Sequence, residues 1–411
     1  MTTTRRPDDD ELTLRSIAPA VYLPTLIFEI GQGAITPIVA LSGRHLGASV
    51  GVAGLLLALL GVGQILGDIP AGALAARIGD RHAMLIAAGL AVVTLIGCAL
   101  TRDVWLLGLS ILFTGMTNAV YSLARQSYLT EVIPHRLRAR ALSTLGGTAR
   151  VGAFIGPFLG ALVLRGASVQ SAYWLAVATS VLAAASLLII PDVAGPEGVP
   201  RQANPVSFRS VFAGHRSVFR TLGAAALMVS AVRGARQTVL PLWADHLHMT
   251  ASTTSLIFGI AGAVDMLLFY PSGKVMDVAG RVWVAIPSML VLSAGFFLLP
   301  LTHSLLPLTL VAMLLGFGNG IGSGILMTLG ADVAPPGARS QFLGIWRVCA
   351  DSGNAGGPVV VSALAALGSL AAGVLAMGGI GIVASFALAR WVPRWSPYAN
   401  NRRRRPRPVE T

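Results

Sequence analysis

The residues of this chain best placed for chemistry are charged side chains inside long apolar segments. Glu29 lies in the stretch IFEIGQGAITP, where a carboxylate can carry a proton or meet a cationic substrate, because burial disfavours its charged form. Arg233 and Arg236 occupy a similar apolar segment later in the chain, and they could pair with Glu29 or bind an anionic or zwitterionic substrate. Gln32 and Asn118 are further polar side chains in apolar segments, and they could line a cavity between the helices or serve helix packing.

No residue pattern indicates an enzyme or an ATP-driven pump. The chain lacks a G-x-x-x-x-G-K-[ST] loop, and its single lysine, Lys274, is followed by Val275, so ATP is not expected to be the energy source within this chain. The sequence DHLH at 245–248 is the closest candidate for a metal or catalytic site, and we interpret it as a solvated loop. Cys98 and Cys349 fall in apolar segments, which argues against a structural disulfide. We therefore predict no enzymatic activity, no metal and no cofactor.

The composition indicates that apolar helices in lipid must hold these charges in place. Hydrophobic residues make up 54% of the 411 residues and charged residues only 11%, whereas soluble domains carry about 25% charged residues. Segments long enough to cross the roughly 30 Å hydrocarbon core recur along the chain, and only helices satisfy their own backbone over such lengths. The twelve predicted spans, numbered in order, cover 17–41, 50–75, 83–101, 105–129, 141–164, 170–190, 221–243, 252–275, 282–302, 306–330, 341–366 and 370–391.

The distribution of the basic residues predicts how the spans are oriented. The formal net charge is +13, but most basic residues lie in the two terminal segments and in the loops after spans 2, 4, 6, 8 and 10. Only Arg44, Arg102 and Arg165 fall in loops on the other side. This asymmetry predicts that both termini are cytoplasmic and that the tail RRRR at 402–405 faces anionic lipid rather than nucleic acid. The N-terminal sequence MTTTRRPDDDELTLR is too polar for a cleaved signal peptide.

The pattern of special residues indicates a tandem duplication. A gapless shift of 201 residues superimposes special residues of the first half on the same residue types in the second. We expect an N-terminal bundle at 1–190, a cytoplasmic linker at 191–220, a C-terminal bundle at 221–395 and a basic tail at 396–411. The superimposed pairs include Gly115 with Gly316, Asn118 with Asn319, Gly152 with Gly353, Gly156 with Gly357, and Pro157 with Pro358.

Two glycine motifs mark places where the helices turn or approach closely. The polar loop after span 2, GALAARIGDR at 72–81, recurs after span 8 as GKVMDVAGRV at 273–282. Span 5 contains G-x-x-x-G-P-x-x-G. Glycine permits tight turns and close helix contacts. The residues that carry these motifs are Gly72, Leu74, Arg77, Gly79 and Arg81 in the first loop, Gly273, Asp277, Gly280 and Arg281 in the second, and Gly152, Gly156, Pro157 and Gly160 in span 5.

Together these features resemble the major facilitator superfamily, whose hinge motif is roughly G-x-L-a-D-r-x-G-r-[RK]. The first loop departs from that pattern with Ala76 at the acidic position, where the second has Asp277. The span 5 motif is similar to the Gly-Pro motif of the family's drug:proton antiporters, and residues 124–142 resemble the junction of spans 4 and 5 in its efflux members. The resemblance implies an all-α membrane fold, with twelve helices in two pseudo-symmetric six-helix bundles that alternate between inward- and outward-facing states.

Charged residues around the two hinges are predicted to form latches that hold one access state and break in the other. Asp277 could also sit at the positive N-terminal end of span 5, which Ala76 cannot match at span 11, so we expect latches of unequal strength. Ordinary juxtamembrane charges are the alternative interpretation. The predicted latch pairs are Arg77 or Arg81 with Glu131, and Arg281 with Asp332.

Two further pairs are predicted across the halves, because in this family span 2 packs on span 11 and span 5 on span 8. Counting residues from the cytoplasmic ends at 1.5 Å each places Asp68 level with Arg347, and Asp265 level with Arg150, to within about 3 Å. These pairs would bridge the bundles on the cytoplasmic side, as a gate or as a static scaffold. Asp351, one turn beyond Arg347, could pair locally with it or relay protons. Arg125, near the end of span 4, could simply reach the lipid interface.

We therefore predict a secondary transporter that exports a hydrophobic or amphipathic small molecule in exchange for protons. An uptake symporter or facilitator for a sugar, amino acid or organic anion is the alternative, which Arg233 and Arg236 favour. A non-transporting membrane sensor or scaffold is a third class. The expected partners are the substrate, protons and membrane lipid, with no nucleic acid. The expected form is a monomer in the inner membrane of a bacterium.

Overall fold

The computed structural model describes residues 18–132, 138–165, 167–190, 208–335 and 339–400. Within these ranges the chain is helical, without a strand. Span 1 begins with a π-helical turn at Ala18–Tyr22 and continues as Leu23–Ile35 and Ile38–His45, which are bent by 41° at the intervening Thr36-Pro37. The other helices of the first half are Val50–Ile78, Asp80–Leu100, Val104–Val132, Arg138–Val163 and Ser171–Ile189.

The second half repeats this arrangement. Span 10 is interrupted where the glycine-rich sequence GNGIGSG allows Gly324 a left-handed backbone with φ of 80°. The helices of spans 7 to 12 are Ala224–His246, Ala251–Val278, Val282–Leu298, Leu305–Ile321 with Ile325–Val333, Arg339–Leu367 and Leu370–Trp395.

Length and composition support eleven of the twelve predicted spans. Ten helices in the described ranges are long and apolar enough to cross a membrane, and the bent pair of span 1 makes eleven. The helix at span 11, Arg339–Leu367, has 29 residues, which is long enough at 1.5 Å per residue. It is not among the eleven, and it carries Arg347 and Asp351 in its first half.

Helix packing follows the internal duplication. Span 1 packs against spans 5 and 6 as span 7 packs against spans 11 and 12, and span 2 packs against span 4 as span 8 does against span 10. The buried apolar side chains accordingly form two large clusters, one in each half. Between the halves, span 2 lies on span 11 and span 5 on span 8. The charge pairs predicted between the halves depend on these two helix contacts.

The glycines of span 5 allow its backbone to touch that of span 1. A Cβ atom on Gly152 would lie 2.7 Å from the carbonyl oxygen of Leu26 and 2.7 Å from Cβ of Glu29. A Cβ atom on Gly156 would overlap the carbonyl of Ile30, and one on Gly357 in span 11 would overlap that of Ala231 in span 7. The motif therefore sets the distance between the helices that carry the charged side chains.

Part of the predicted linker belongs to the second half. Residues 208–218 form the short helices Phe208–Gly214 and Arg216–Val218, and Val211 and Val218 are buried in the second apolar cluster. The first part of the linker, 191–207, and the tail from 401 onward lie outside the described residues. The beginning of the tail packs on the second hinge, where the carbonyl groups of Tyr398 and Ala399 accept hydrogen bonds from the backbone of Arg281 and Val282.

Candidate functional site

Two adjoining cavities lie between the halves. One has a volume of about 190 Å³ and the other about 310 Å³, and both are bordered by Gly33, Thr36, Ala153 and Gln237. The smaller cavity is lined by one carboxylate and a ring of amides from five different spans. Its polar side chains are Glu29, Gln32, Thr36, Gln64, Asn118, Gln237 and Asn354.

Glu29 is paired with an arginine of its own half. Its Oε1 lies 2.7 Å from Nη1 of Arg125, and only 15% and 11% of the two side chains are exposed. The guanidinium carbon of Arg125 lies 6.0 Å from the centre of the Tyr121 ring, which stacks on Phe28 at 4.1 Å. Arg125 therefore does not reach for the lipid interface, contrary to the sequence-based expectation. It pairs with Glu29, for which the sequence analysis had suggested Arg233 or Arg236 as the partner.

The larger cavity contains a chain of polar contacts in the second half. Arg233 donates hydrogen bonds from Nε to Oδ1 of Asn319 at 2.8 Å and from Nη2 to the carbonyl oxygen of Asn319 at 2.9 Å. Asn319 in turn donates to Oδ2 of Asp265. The same carboxylate oxygen lies 3.5 Å from Nη2 of Arg236. Asn319 is the counterpart of Asn118 at the 201-residue shift, and it lies two residues before the helix Leu305–Ile321 ends.

The predicted pair of Arg150 and Asp265 is replaced by other contacts in this structure. Arg150 crosses from span 5 to the second half, but its Nη1 donates to Oγ of Ser323 and its guanidinium carbon lies 3.9 Å above the centre of the Phe269 ring. Asp265 is paired with Arg236 instead. Both Arg150 and Asp265 line the larger cavity, so the prediction brought together the right region of spans 5 and 8 but was wrong about the direct contact of the two side chains.

The second predicted bridge is present. Nη2 of Arg347 lies 3.8 Å from Oδ1 of Asp68 across the halves, and its Nε lies 3.4 Å from Oδ2 of Asp351 on the same helix. Half of the Arg347 side chain is exposed. Arg347 therefore makes both of the contacts that the sequence suggested, the local one and the bridging one.

The second hinge has a well-formed latch. Nε of Arg281 lies 3.1 Å from Oδ2 of Asp332, and its Nη1 lies 3.3 Å from Oδ1 of Asp277. The predicted pair of Arg281 and Asp332 is confirmed. Asp277 also contacts Arg281, and its side chain is 79% exposed. Ser396 of the tail adds a hydrogen bond of 2.7 Å to Asp332. Gly280, with φ of 111°, provides the turn that brings these groups together.

The first hinge is arranged differently. Gly79 has φ of 84°, as the turn requires, and Arg81 donates from Nη2 to the carbonyl oxygens of Leu187 and Ile190 at the end of span 6. Arg77 is exposed. The side chain of Glu131 lies outside the part of the chain that the structure describes, so the latch predicted with Glu131 stays a prediction, and the surroundings of Gly72 lie outside it as well.

The halves are held together at the side remote from the hinges. Nε of Arg44 lies 2.9 Å from Oδ2 of Asp245, and Oγ of Ser252 donates to the carbonyl oxygen of Ala161 at 2.8 Å. A small apolar cluster of Ala40, Ala53 and Leu242 also joins the halves. These contacts connect the halves on the side that the sequence predicts to be external.

A family model for the Major Facilitator Superfamily matches residues 21–349 and, in a second alignment, 222–410. The chain belongs to the major facilitator superfamily. It is therefore a multi-pass membrane transporter and not an enzyme, and its two halves have the pseudo-symmetric arrangement that the sequence predicts.

Curated relatives of this transporter include exporters. It is 25% identical over 375 residues to the enterobactin exporter EntS of Shigella flexneri, covering 87% of each chain. It is 28% identical over 147 residues to the multidrug resistance protein MdtG of Proteus mirabilis, covering 35% of this chain and 37% of that protein. Among solved structures, the nucleoside transporter NupG superposes with a TM-score of 0.71 at 15% identity over 92% of this chain and 98% of that one. At that identity the likeness shows the fold alone.

The sequence analysis missed three residues that contribute to the candidate site of this transporter. Gln237 and Asn354 were not singled out, because an isolated amide in an apolar span more often serves packing. Arg125 was assigned to the lipid interface, although a comparison of its depth with that of Glu29 would have indicated that the two could pair. Glu29 lies 11 residues beyond Ala18 and Arg125 lies 7 residues before Val132. The resulting difference of about 6 Å is within reach of an arginine side chain.

Proposed function

We propose that this transporter exports a hydrophobic or amphipathic small molecule in exchange for protons, with Glu29 as the coupling carboxylate. The observation that carries the proposal is the ion pair of Glu29 and Arg125 at the wall of the smaller cavity. A proton on Glu29 would cancel its charge, release Arg125 and leave a buried cation without a partner, which costs several kcal/mol. Proton binding and a change in the packing of the first half are therefore linked.

Alternating access follows from where the two halves touch. The contact of Arg44 with Asp245 holds them on the external side, whereas Asp68 and Arg347 face each other on the cytoplasmic side. Rocking of bundles 1–190 and 221–395 about the cavities would break one set and tighten the other. The proton gradient supplies the energy, the termini are cytoplasmic, and the protein works as a monomer in the inner membrane of a bacterium.

The relatives favour export over import. EntS is named an enterobactin exporter and MdtG a multidrug resistance protein. EntS aligns over most of the chain. The apolar side chains Phe154, Phe258 and Met266 in the larger cavity suit an amphipathic cargo, because burial of apolar surface contributes to its affinity.

Proton movement in proteoliposomes tests the proposal. With an imposed pH gradient and a panel of amphipathic compounds, the wild type should release protons when the transported compound is added, and Glu29→Gln should not. Asp103→Asn is the matched control, because Asp103 caps span 4 outside both cavities by accepting from the backbone of Trp105 and Leu106. Proton release that persists in Glu29→Gln would move the coupling site to Asp68, Asp265 or Asp351.

Uptake of a sugar, amino acid or organic anion is the second candidate function. The ring of amides around the smaller cavity favours it, since amides donate to and accept from hydroxyl groups of polar substrates. Right-side-out vesicles separate the two candidates. An inward proton gradient would drive accumulation of a radiolabelled substrate by a symporter, whereas an antiporter would accumulate substrate only in inverted vesicles acidified inside.

A further inference from the structure

We propose that the larger cavity binds an anionic group of the substrate, with Arg236 as its principal donor and Arg150 and Arg233 beside it, so that the cargo is an amphipathic anion. This inference rests on the proposed transport function and names the class of its substrate. A carboxylate, a phosphate or another oxyanion shares the required chemistry.

The charges lining the larger cavity do not balance. Three arginines, Arg150, Arg233 and Arg236, face a single carboxylate, Asp265, among the described side chains that form its wall. In the smaller cavity, by contrast, Glu29 is already neutralised by Arg125. A surplus of positive charge held away from water is costly unless an anion compensates it. The imbalance therefore points to the larger cavity as the place for an anion.

Arg236 has the free donors that such an anion needs. It is 7% exposed, and its Nε and Nη1 atoms are buried without a hydrogen-bond partner among the described residues. Its charged neighbour is Asp265, 3.5 Å from Nη2. Arg233 differs, because two of its donors already bind Asn319. The N–H of Nε and the Nη1 group face different edges of the planar guanidinium, so each can give a charge-assisted hydrogen bond to an oxygen of a carboxylate or phosphate that lies at its edge.

The site is built by both halves. Arg150 reaches it from span 5 of the first half, while Arg236 and Asp265 come from spans 7 and 8. The cation of Arg150 is held by the Phe269 ring and by Ser323, neither of which carries a negative charge. An anion between Arg150 and Arg236 would attract both halves at once. Substrate binding would thereby change the balance between access states.

The internal duplication does not preserve the charges of the two cavities. At the shift of 201 residues, which also relates the glycine contacts of span 1 to those of span 7, Ser230 takes the place of Glu29 and Arg233 that of Gln32. The carboxylate of the smaller cavity therefore has no counterpart in span 7, and an arginine stands where span 1 has an amide. The apolar walls at Phe154 and Phe258 would hold the body of the molecule next to its anionic end.

Equilibrium binding to the purified full-length protein in detergent tests this site. The probes are 1-naphthoate, decanoate and phenyl phosphate, each compared with an uncharged counterpart: 1-naphthamide, decanamide and phenol. We expect at least one anion to bind about tenfold or more tightly than its counterpart, as a charge-assisted hydrogen bond to Arg236 implies. Arg236→Gln should abolish this preference and Arg236→Lys should retain part of it. Arg390→Gln, which removes an exposed arginine at the end of span 12, should leave it unchanged.

Equal affinity for the anions and their counterparts, or no binding of any anion, would overturn the assignment. A preference that survives in Arg236→Gln would do the same, because the anion would then bind elsewhere. A folding defect is recognised by its loss of the uncharged probes as well, and Arg236→Lys then provides the test. Binding in detergent needs neither a gradient nor a direction of transport. A failure of proton exchange would therefore overturn the antiport proposal and leave the anion site standing.

Discussion

Arg44 and Asp245 occupy the same position in the two repeats, 201 residues apart, and they form an ion pair of 2.9 Å. Residues related by a pseudo-two-fold axis meet their own counterparts only where they lie close to that axis. The duplication has therefore placed opposite charges at one point on the side remote from the hinges. Identical residues there would repel or stay unpaired, so divergence between the halves created this contact.

The pair of Arg44 and Asp245 should stabilise the state that is closed externally. Both side chains are about one-third exposed, so breaking the pair should cost about 1 kcal/mol or less. A Thr36→Cys variant that lacks Cys98 and Cys349 should react up to about fivefold faster with an external thiol reagent once Arg44→Asp is added. The double swap of Arg44→Asp with Asp245→Arg should restore the slow rate. A swap that labels as fast as the single variant would contradict the latch.

Loss of Glu29 should destabilise the protein more than loss of Arg125. An arginine cannot give up its charge, so Glu29→Gln leaves a buried cation, which costs about 3–5 kcal/mol. In Arg125→Gln, by contrast, the carboxylate can take up a proton. The melting temperature in detergent should fall most in Glu29→Gln and recover in the double variant with Arg125→Gln. Equal melting temperatures for the two single variants would argue against this pair as a structural element.

Gly152 should tolerate no side chain, whereas Gly146 on the same helix should accept alanine. A Cβ atom on Gly152 would lie 2.7 Å from the backbone of span 1, and one on Gly146 would meet nothing within 4 Å. We expect Gly152→Ala to lower the free energy of unfolding by about 1–3 kcal/mol. Gly146→Ala should be neutral or stabilising by up to about 1 kcal/mol. Thermal melting in detergent compares the two, and similar losses would show that the motif does not act through helix contact.

Asp68 and Arg347 should behave as a bridge between the halves. Reversing either charge should impair transport, and swapping both should restore part of it, because the pair spans the interface at 3.8 Å. Asp351→Asn should have a smaller effect, since Asp351 contacts Arg347 within one helix. Initial transport rates in proteoliposomes test this order. A double swap no better than the single reversals would contradict the bridge.

The second hinge should depend on the start of the tail. Ser396 bonds to Asp332, and the Tyr398 ring lies 5.2 Å from the guanidinium carbon of Arg281. Truncation after Trp395 should therefore weaken the latch of Arg281 and Asp332. Truncation after Asn400 keeps these contacts and serves as the control. Proteolysis within the loop at 279–281 should be faster in the shorter protein only, and equal rates would show that the tail does not support the hinge.

Much of the candidate site can be placed from the sequence because membrane helices have a known rise. The positions of Asp68 and Arg347, and of Arg281 and Asp332, follow from their distance to a helix end and from the pairing of spans. Long side chains near the same end of neighbouring helices then find each other. The internal repeat adds the pseudo-symmetry, since it superimposes Asn118 on Asn319 and aligns the glycines that set the spacing of the helices.

The sequence by itself determined the family, the duplication and the distance of each charged residue from the end of its predicted span. Only the tertiary structure decided which partner each charge takes. Successive residues on a helix are rotated by about 100°, so a count of depth leaves the direction of a side chain open. Contact at glycines such as Gly152 settles that direction. In the folded chain Glu29 meets Arg125, Arg150 lies on the Phe269 ring and Arg236 pairs with Asp265.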